Sequence, residues 1–91
     1  MKRADFRALV DLGDHTRADK LCVGDLIVPT GAACIDDLRT VTEVRRVECG
    51  CSDVRVTWRY NDNGRSVTQV VEAGTLVYAI PGQAANARGA A

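Results

Sequence analysis

Four cysteines are the residues with the greatest capacity for chemistry in this chain of 91 residues. Cys49 and Cys51 form a C-x-C pair, and Cys22 opens an apolar segment that we expect to lie nearby. With His15 as a fourth ligand they would offer donor atoms that zinc prefers, although a zinc knuckle uses C-x-x-C spacing. We therefore favour small apolar side chains at Cys22 and Cys34, a surface C-x-C loop, and neither metal nor cofactor. The alternatives are a zinc site at Cys22, Cys49, Cys51 and His15, or disulfides, which a reducing cytosol disfavours.

No catalytic constellation is predicted. A nucleophilic Cys–His pair needs a third group to orient the base, and no signature places one beside His15. Asp36 and Asp37 could bind a hard cation, but adjacent acids in a turn are usually just solvated. Glycines occur singly, so the sequence contains no phosphate-binding loop. We expect a protein that is not an enzyme.

Arginine is the second residue type with an informative pattern. Apolar and polar residues alternate in the segment 54–60, VRVTWRY, so Arg55 and Arg59 share its solvent face. Arg45 or Arg46 on the neighbouring predicted strand would extend this face into an arginine row. Guanidinium groups bind phosphates, carboxylates and aromatic faces. The candidate partner-binding residues are therefore Arg45, Arg46, Arg55 and Arg59.

The charge balance bears on the class of partner. Lys and Arg number 12, Asp and Glu number 12, and aromatic residues make up only 4% of the chain. Nucleic-acid-binding domains usually carry a basic excess, and single-strand binders stack bases on aromatic rings. We therefore favour a protein partner and keep nucleic acid as the alternative. A third interpretation is that Arg55 and Arg59 pair with Glu43 or Glu72 and only make the sheet soluble.

A short amphipathic helix is predicted near the N-terminal end. In residues 3–12, Phe6, Leu9 and Val10 have the i, i+3, i+4 spacing of one helix face, and Gly13 follows as a C-terminal cap. A helix of this length is marginal alone, so its apolar face must dock. It would plug one end of a barrel, or else bind a partner or a second copy of the chain.

The remaining pattern predicts a mainly β fold. Residues 13–20 are polar, so a connection is predicted there. Val44 does not alternate in step with Val41 and Val47, so a β-bulge near Glu43–Arg45 is predicted to bring all three to one side. A short sheet leaves exposed edges, which closure into a barrel removes, while an open meander carrying the helix is the alternative. We expect 76–80 to be an exposed edge that adds to another protein's sheet or forms a homodimer. The predicted strands are 21–28, 39–47, 54–60, 65–72 and 76–80.

The segment LCVGDLIV at 21–28, followed by RTVTEV at 39–44, resembles the opening hairpin of SH3-like barrels, and its rhythm is similar to that of KOW-type modules. The later segments VRVTWR and GTLVYAI fit the remaining strands. The chain also resembles small uncharacterised proteins of actinobacteria and their phages, with ten arginines against two lysines. The resemblance implies a small five-stranded SH3-like barrel with a short N-terminal helix. It also implies a phage accessory protein that binds and modulates a host protein.

Length and composition set the organisation. A mass of 9.8 kDa and 46% hydrophobic residues indicate one globular domain. We predict a helix and connection at 1–20, a barrel at 21–80 and a flexible tail at 81–91. No apolar run reaches the ~18 residues of a membrane span, and no signal segment is visible, so a cytoplasmic location is expected. The favoured function is a non-catalytic protein-interaction module; the alternatives are a nucleic-acid-binding barrel and a zinc-stabilised module.

Overall fold

The computed structural model describes residues 3–47 and 52–82, in which the mainly β character is confirmed. Within these ranges no helix is long and apolar enough to cross a membrane. Cys49 and Cys51, and the predicted tail from residue 83 onward, lie outside the described residues. The elements are α1 (Arg3–Val10), β1 (Asp14–Arg17), β2 (Leu26–Ile27), β3 (Arg39–Arg46), β4 (Asp53–Tyr60), β5 (Ser66–Glu72) and β6 (Leu76–Ile80), with 3₁₀ turns at Ala18–Lys20 and Ile35–Asp37.

The six strands form one antiparallel sheet in the order β1-β6-β2-β3-β4-β5. Four strand spacings would separate β5 from β6 by ~19 Å in a flat sheet. Residues 73–75 alone join them, and the step from Glu72 to Leu76 spans at most ~14 Å. The sheet must therefore curl. It is not closed, since β1 and β5 are its two edges and no ladder joins them in the described ranges, so a five-stranded barrel is not confirmed.

Strand β1 is the main departure from the predicted elements. Its four residues pair with β6, with His15 opposite Tyr78 and Thr16 opposite Val77. The prediction of a polar connection over 13–20 is therefore wrong, and the sheet begins at Asp14. The expectation that 76–80 is an edge is also wrong, because β6 lies between β1 and β2.

Strand β2 is much shorter than the predicted 21–28, because a side chain captures the backbone before it. The Asp25 carboxylate accepts hydrogen bonds from the N–H of Cys22 at 2.9 Å and from the N–H of Gly82 at 3.0 Å. Gly24 adopts a positive φ of 97°, which suits glycine. This bonded turn replaces the first part of the predicted strand.

Asp25 also links three strands of the sheet. Its carbonyl accepts the N–H of Val41 in β3 at 2.9 Å, while its carboxylate holds Gly82 just beyond the end of β6. The approach at Gly82 is so close that a Cβ there would lie 2.6 Å from the carbonyl oxygen of Gly24. One residue, through its carboxylate and its carbonyl, thus connects the start of β2, β3 and the end of β6.

A β-bulge in β3 brings its valines to the buried face. The register with β4 shifts between Val41 and Glu43, so Thr42 is the extra residue. The predicted bulge is confirmed, one residue before its predicted position. As a result Val41 lies opposite Trp58, and Val44 reaches the same face of the sheet.

Two apolar clusters form the core. Trp58 is 7% exposed and belongs to the larger cluster, whereas Tyr60 is half-buried. The smaller cluster covers the apolar face of α1, so the helix docks within its own chain. The larger cluster is Ala18, Leu21, Ile27, Val41, Val54, Val56, Trp58 and Ala79. The smaller cluster is Phe6, Leu9, Leu26, Leu38 and Ile80.

The C-terminal end of α1 is held by a tyrosine from β6. The Tyr78 hydroxyl donates to the carbonyl of Val10 at 2.7 Å, and the N–H of Gly13 donates to the same carbonyl at 2.9 Å. A Cβ at Gly13 would lie 2.7 Å from the Tyr78 ring. The predicted capping glycine is therefore needed here for space.

We predict that Asp25→Ala lowers the free energy of unfolding by about 2–3 kcal/mol, because two backbone N–H groups lose a charged acceptor. Urea denaturation followed by circular dichroism measures the change. Asp36→Ala is the matched control, since this exposed carboxylate makes no hydrogen bond in the described part of the chain, and it should shift stability by less than about 0.5 kcal/mol. Equal losses in the two variants would contradict the role assigned to Asp25.

Candidate interaction face

The side of β3, β4 and β5 that faces away from the core is the candidate site, and we call it the outer face. Alternation along β4 assigns the odd-numbered positions 53–59 to it, opposite the buried Val54, Val56 and Trp58. The strand register then identifies the neighbours on β3 and β5. The outer-face residues are Thr40, Glu43, Arg45, Asp53, Arg55, Thr57, Arg59, Ser66, Thr68, Val70 and Glu72.

Three of the four predicted arginines meet on this face. Arg45 lies directly opposite Arg55, and Arg59 follows four residues along β4, about 13 Å away at the usual rise of a strand. All three side chains are exposed. Arg46 is separate, because it pairs with the buried Val54 and so points to the other side of the sheet. The arginine row therefore consists of Arg45, Arg55 and Arg59.

Arg46 lines a different surface feature. It borders a pocket of about 540 Å³ together with Arg17, Asp19, Asp53 and Ala73. Arg17 is already engaged there, since its Nε lies 3.1 Å from Asp19 Oδ1. The pocket lies at the end of β3, and it does not join the arginine row.

Charges on the outer face are poorly compensated. Arg45 faces Arg55 across β3 and β4, and Asp53 faces Glu72 across β4 and β5. Like charges directly opposite each other destabilise a sheet. Glu43 pairs with Arg45 at 3.1 Å, but both side chains are largely exposed, so the pair contributes little.

Arg55 and Arg59 are the least engaged of the row. In residues 3–47 and 52–82, no carboxylate oxygen lies within 4.0 Å of either guanidinium. The interpretation in which both pair with Glu43 or Glu72 is therefore wrong for this part of the chain, since Glu43 contacts Arg45 instead. Both guanidinium groups remain available for an external carboxylate or phosphate.

Threonines keep the middle of the outer face ordered. The hydroxyls of Thr57 and Thr68 are 2.9 Å apart across β4 and β5, and the Thr42 hydroxyl donates to the carbonyl of Thr57 at 3.2 Å. Val70 adds an apolar contact surface beside Arg55, with 51% of its area exposed. The face therefore combines fixed polar groups, free guanidinium groups and one exposed apolar side chain.

A fifth arginine has a structural role that the sequence analysis did not recognise. The Arg39 guanidinium lies 5.6 Å from the ring centroid of Trp58 and 5.0 Å from that of Tyr60, within cation–π range. In the described part of the chain, Arg39 Nε and Trp58 Nε1 are buried without a hydrogen-bond partner. Arg39 lies two residues before the buried Val41 in β3. Alternation along the strand therefore already indicated that Arg39 lies on the core side.

The predicted zinc ligands are only partly described. Cys22 and Cys34 are both exposed, contrary to the expectation of apolar packing. His15 stands in β1, not in a connection, and its ring lies edge-on at 5.3 Å from that of Tyr78. Within the ranges that the structure describes, no three His, Cys, Asp or Glu side chains are grouped to hold a metal. Cys49 and Cys51 lie outside those ranges, so the favoured absence of a metal and the alternative zinc site both stay predictions.

Of the acidic pair Asp36–Asp37, only Asp37 bonds to its own loop. The Asp37 carboxylate accepts the N–H of Ala33 at 2.8 Å and that of Cys34 at 3.2 Å. These backbone hydrogen bonds lower the pKa of Asp37 below its ordinary value of 3.8. The hydrogen bond from Arg17 likewise lowers the pKa of Asp19.

In comparisons with known proteins, the chain matches no protein-family model, no curated protein and no solved structure. The resemblance to SH3-like and KOW-type barrels is therefore neither confirmed nor refuted, and it stays a prediction. The candidate site rests on the geometry of the outer face alone.

The lowered pKa values predict an acid sensitivity. Groups whose pKa is lower when folded stabilise the fold above the ordinary value of 3.8 and lose that contribution as the pH falls through the folded pKa. We expect the urea midpoint to decrease on acidification below about pH 4, and Asp37→Asn to reduce this decrease. Asp36→Asn is the matched control, and its urea midpoint should decrease on acidification as much as that of the parent. Parallel curves for Asp37→Asn and the parent would rule out the assigned role of Asp37.

Proposed function

We propose that this chain is a non-catalytic protein-interaction module whose outer face binds an acidic protein surface. The proposal rests on the exposure of Arg55 and Arg59 and on the lack of an acidic partner for either in the part of the chain that the structure describes. Both are exposed on one strand face, and neither has a carboxylate within 4.0 Å in the described ranges.

The arginine row has the chemistry to recognise carboxylates. A guanidinium group can bind a carboxylate through two parallel N–H···O bonds, which gives geometric specificity as well as energy. The direct Arg45–Arg55 pair is unfavourable in the isolated chain. A partner carboxylate placed between the two would relieve that repulsion, so binding and charge relief act in the same direction.

The acidic residues on the outer face favour a protein partner over a nucleic acid. Arg45, Arg55 and Arg59 share the outer face with an equal number of carboxylates, Glu43, Asp53 and Glu72. A phosphate backbone would meet repulsion from those carboxylates, and non-specific nucleic-acid affinity depends on net positive charge. A surface of mixed charge instead supports specific pairing with a protein of complementary pattern.

The fold and cellular setting belong to the same proposal. The curled sheet, in which β6 returns beside β2 after the β2–β5 meander, supports a small SH3-like barrel. In keeping with the sequence resemblance, the proposed partner is a host protein if the chain is a phage accessory factor. Binding then takes place in the cytoplasm of the producing cell or of the host.

The test compares charge-reversal variants of matched net charge. Arg55→Glu/Arg59→Glu changes the row, whereas Arg7→Glu/Arg65→Glu changes two exposed arginines outside it. We expect a protein captured from a high-GC actinobacterial lysate at low salt to be retained by the parent and the control. Capture by the row variant should fall at least about tenfold, since buried interface arginines often contribute more than 1 kcal/mol each.

Two outcomes would contradict the proposed function. Equal capture by all three forms would show that the row is not the contact surface. A salt-dependent gel shift of DNA or RNA oligonucleotides that is lost only in Arg55→Glu/Arg59→Glu, without protein capture, would favour the nucleic-acid alternative.

A further inference from the structure

Within residues 3–47 and 52–82, strand β5 leaves one row of backbone groups unpaired at the edge of the sheet. One hydrogen bond extends the pairing of β5 with β4 at each end of the strand. The Tyr60 N–H donates to the carbonyl of Arg65 at 2.9 Å, and the Ala73 N–H donates to the carbonyl of Ser52 at 3.0 Å. They assign the odd-numbered positions 65–73 to pairing with β4. In an antiparallel strand the alternate residues turn their N–H and C=O groups the other way. Those residues are Ser66, Thr68, Val70 and Glu72.

This edge lacks the features that usually prevent strands from pairing with other chains. Ser66–Glu72 contains no proline, no lysine and no bulge, and Glu72 is its only charged residue. Four of its seven residues are Val or Thr, which favour extended structure. The opposite edge, β1, has only four residues and carries Asp14 and Arg17. The β5 edge is therefore the one suited to pairing.

We propose that β5 pairs antiparallel with β5 of a second copy of this chain, about a twofold axis at Gln69. In this register Thr68 lies opposite Val70 of the second copy, and Ser66 lies opposite its Glu72. All four residues that turn their backbone groups outward then face one another, so the edge is complementary to itself. The outer faces of the two copies join into one continuous surface.

Charge selects this register over its neighbours. Arg59 lies opposite the small Ser66, which would face Glu72 of the second copy. The two charged side chains are then ~10 Å apart at the backbone, two strand spacings, and they can meet above the serine. The contact occurs twice by symmetry, and it supplies a cation to the repulsive pair Asp53–Glu72.

The two adjacent registers lose this match. Sliding by two residues one way sets Ser66 opposite Val70 of the second copy, which brings Arg59 towards its Arg55. Sliding the other way sets Val70 opposite itself and Thr68 opposite Glu72, which leaves Arg59 without an acidic partner. Only the register centred on Gln69 pairs opposite charges.

This inference goes beyond the proposed function and does not depend on it, because the strands pair through their backbone edges. Of the arginine row, only Arg59 takes part in the contact. A single pair of short strands gives an interface at the small end of the usual range, below ~1,200 Å². We therefore expect a reversible equilibrium between a monomer of 9.8 kDa and a dimer of twice that mass.

Sedimentation velocity over a concentration series, with reductant present to keep the exposed thiols reduced, measures the equilibrium. Val70→Lys places a charge on the pairing edge, and Val23→Lys makes the same change at a valine that is 69% exposed in the turn before β2. We expect the parent and Val23→Lys to dimerise alike, and Val70→Lys to weaken dimerisation at least tenfold while keeping the parent circular dichroism spectrum.

A charge exchange tests the register itself. Arg59→Glu and Glu72→Arg should each weaken dimerisation, and the double variant should recover most of the loss, because it restores opposite charges across the interface. A parent that is monomeric at every concentration, equal weakening by Val70→Lys and Val23→Lys, or no recovery in the double variant would overturn the proposal.

Discussion

The fold and its candidate surface both depend on the pleat of β4. Val54, Val56 and Trp58 are each at most 7% exposed on one side of the strand. Burial of an apolar side chain stabilises a fold by about 1.5–3 kcal/mol, and a shift of one residue would exchange the two faces. That burial places Arg55 and Arg59 on the outside. The availability of the guanidinium groups is thus a consequence of core packing.

The sequence predicted the elements whose patterns are strong. The helix and the strands from β3 to β6 are confirmed, because each has a clear pattern of apolar and polar residues. Strand β1 could not be predicted in this way, since its four residues are polar and their extended form depends on the ladder with β6. The length of β2 depends on hydrogen bonds from one carboxylate to distant backbone groups, which local pattern does not encode.

The candidate site was predictable to the extent that it follows from alternation. Arg55 and Arg59 share a strand, so their common face could be read from spacing. The assignment of Arg45 and Arg46 to opposite faces required the bulge at Thr42 and the register with β4, both set by tertiary pairing. The identity of the open edge required the strand order, because β1 and β2 pair with the two sides of β6, which leaves β5 at an edge of the described sheet.

The two proposals share one cause, which is the repulsion between like charges on the outer face of a well-packed sheet. The core supports a face on which Arg45 opposes Arg55 and Asp53 opposes Glu72, an arrangement that the isolated chain would be more stable without. The proposed acidic partner would relieve the first pair, and the proposed second copy would relieve the other. Both proposals assign an external group to like charges that lie opposite each other in the described part of the chain.

The pleat of β4 can be tested by comparing the unfolding free energies of Val56→Ala and Arg55→Ala in urea. The structure predicts a loss of about 2 kcal/mol for Val56→Ala, from the cavity left in the core. It predicts no loss, or a small gain, for Arg55→Ala, which removes the repulsion with Arg45. A large loss for Arg55→Ala with little change for Val56→Ala would contradict this assignment of the two faces.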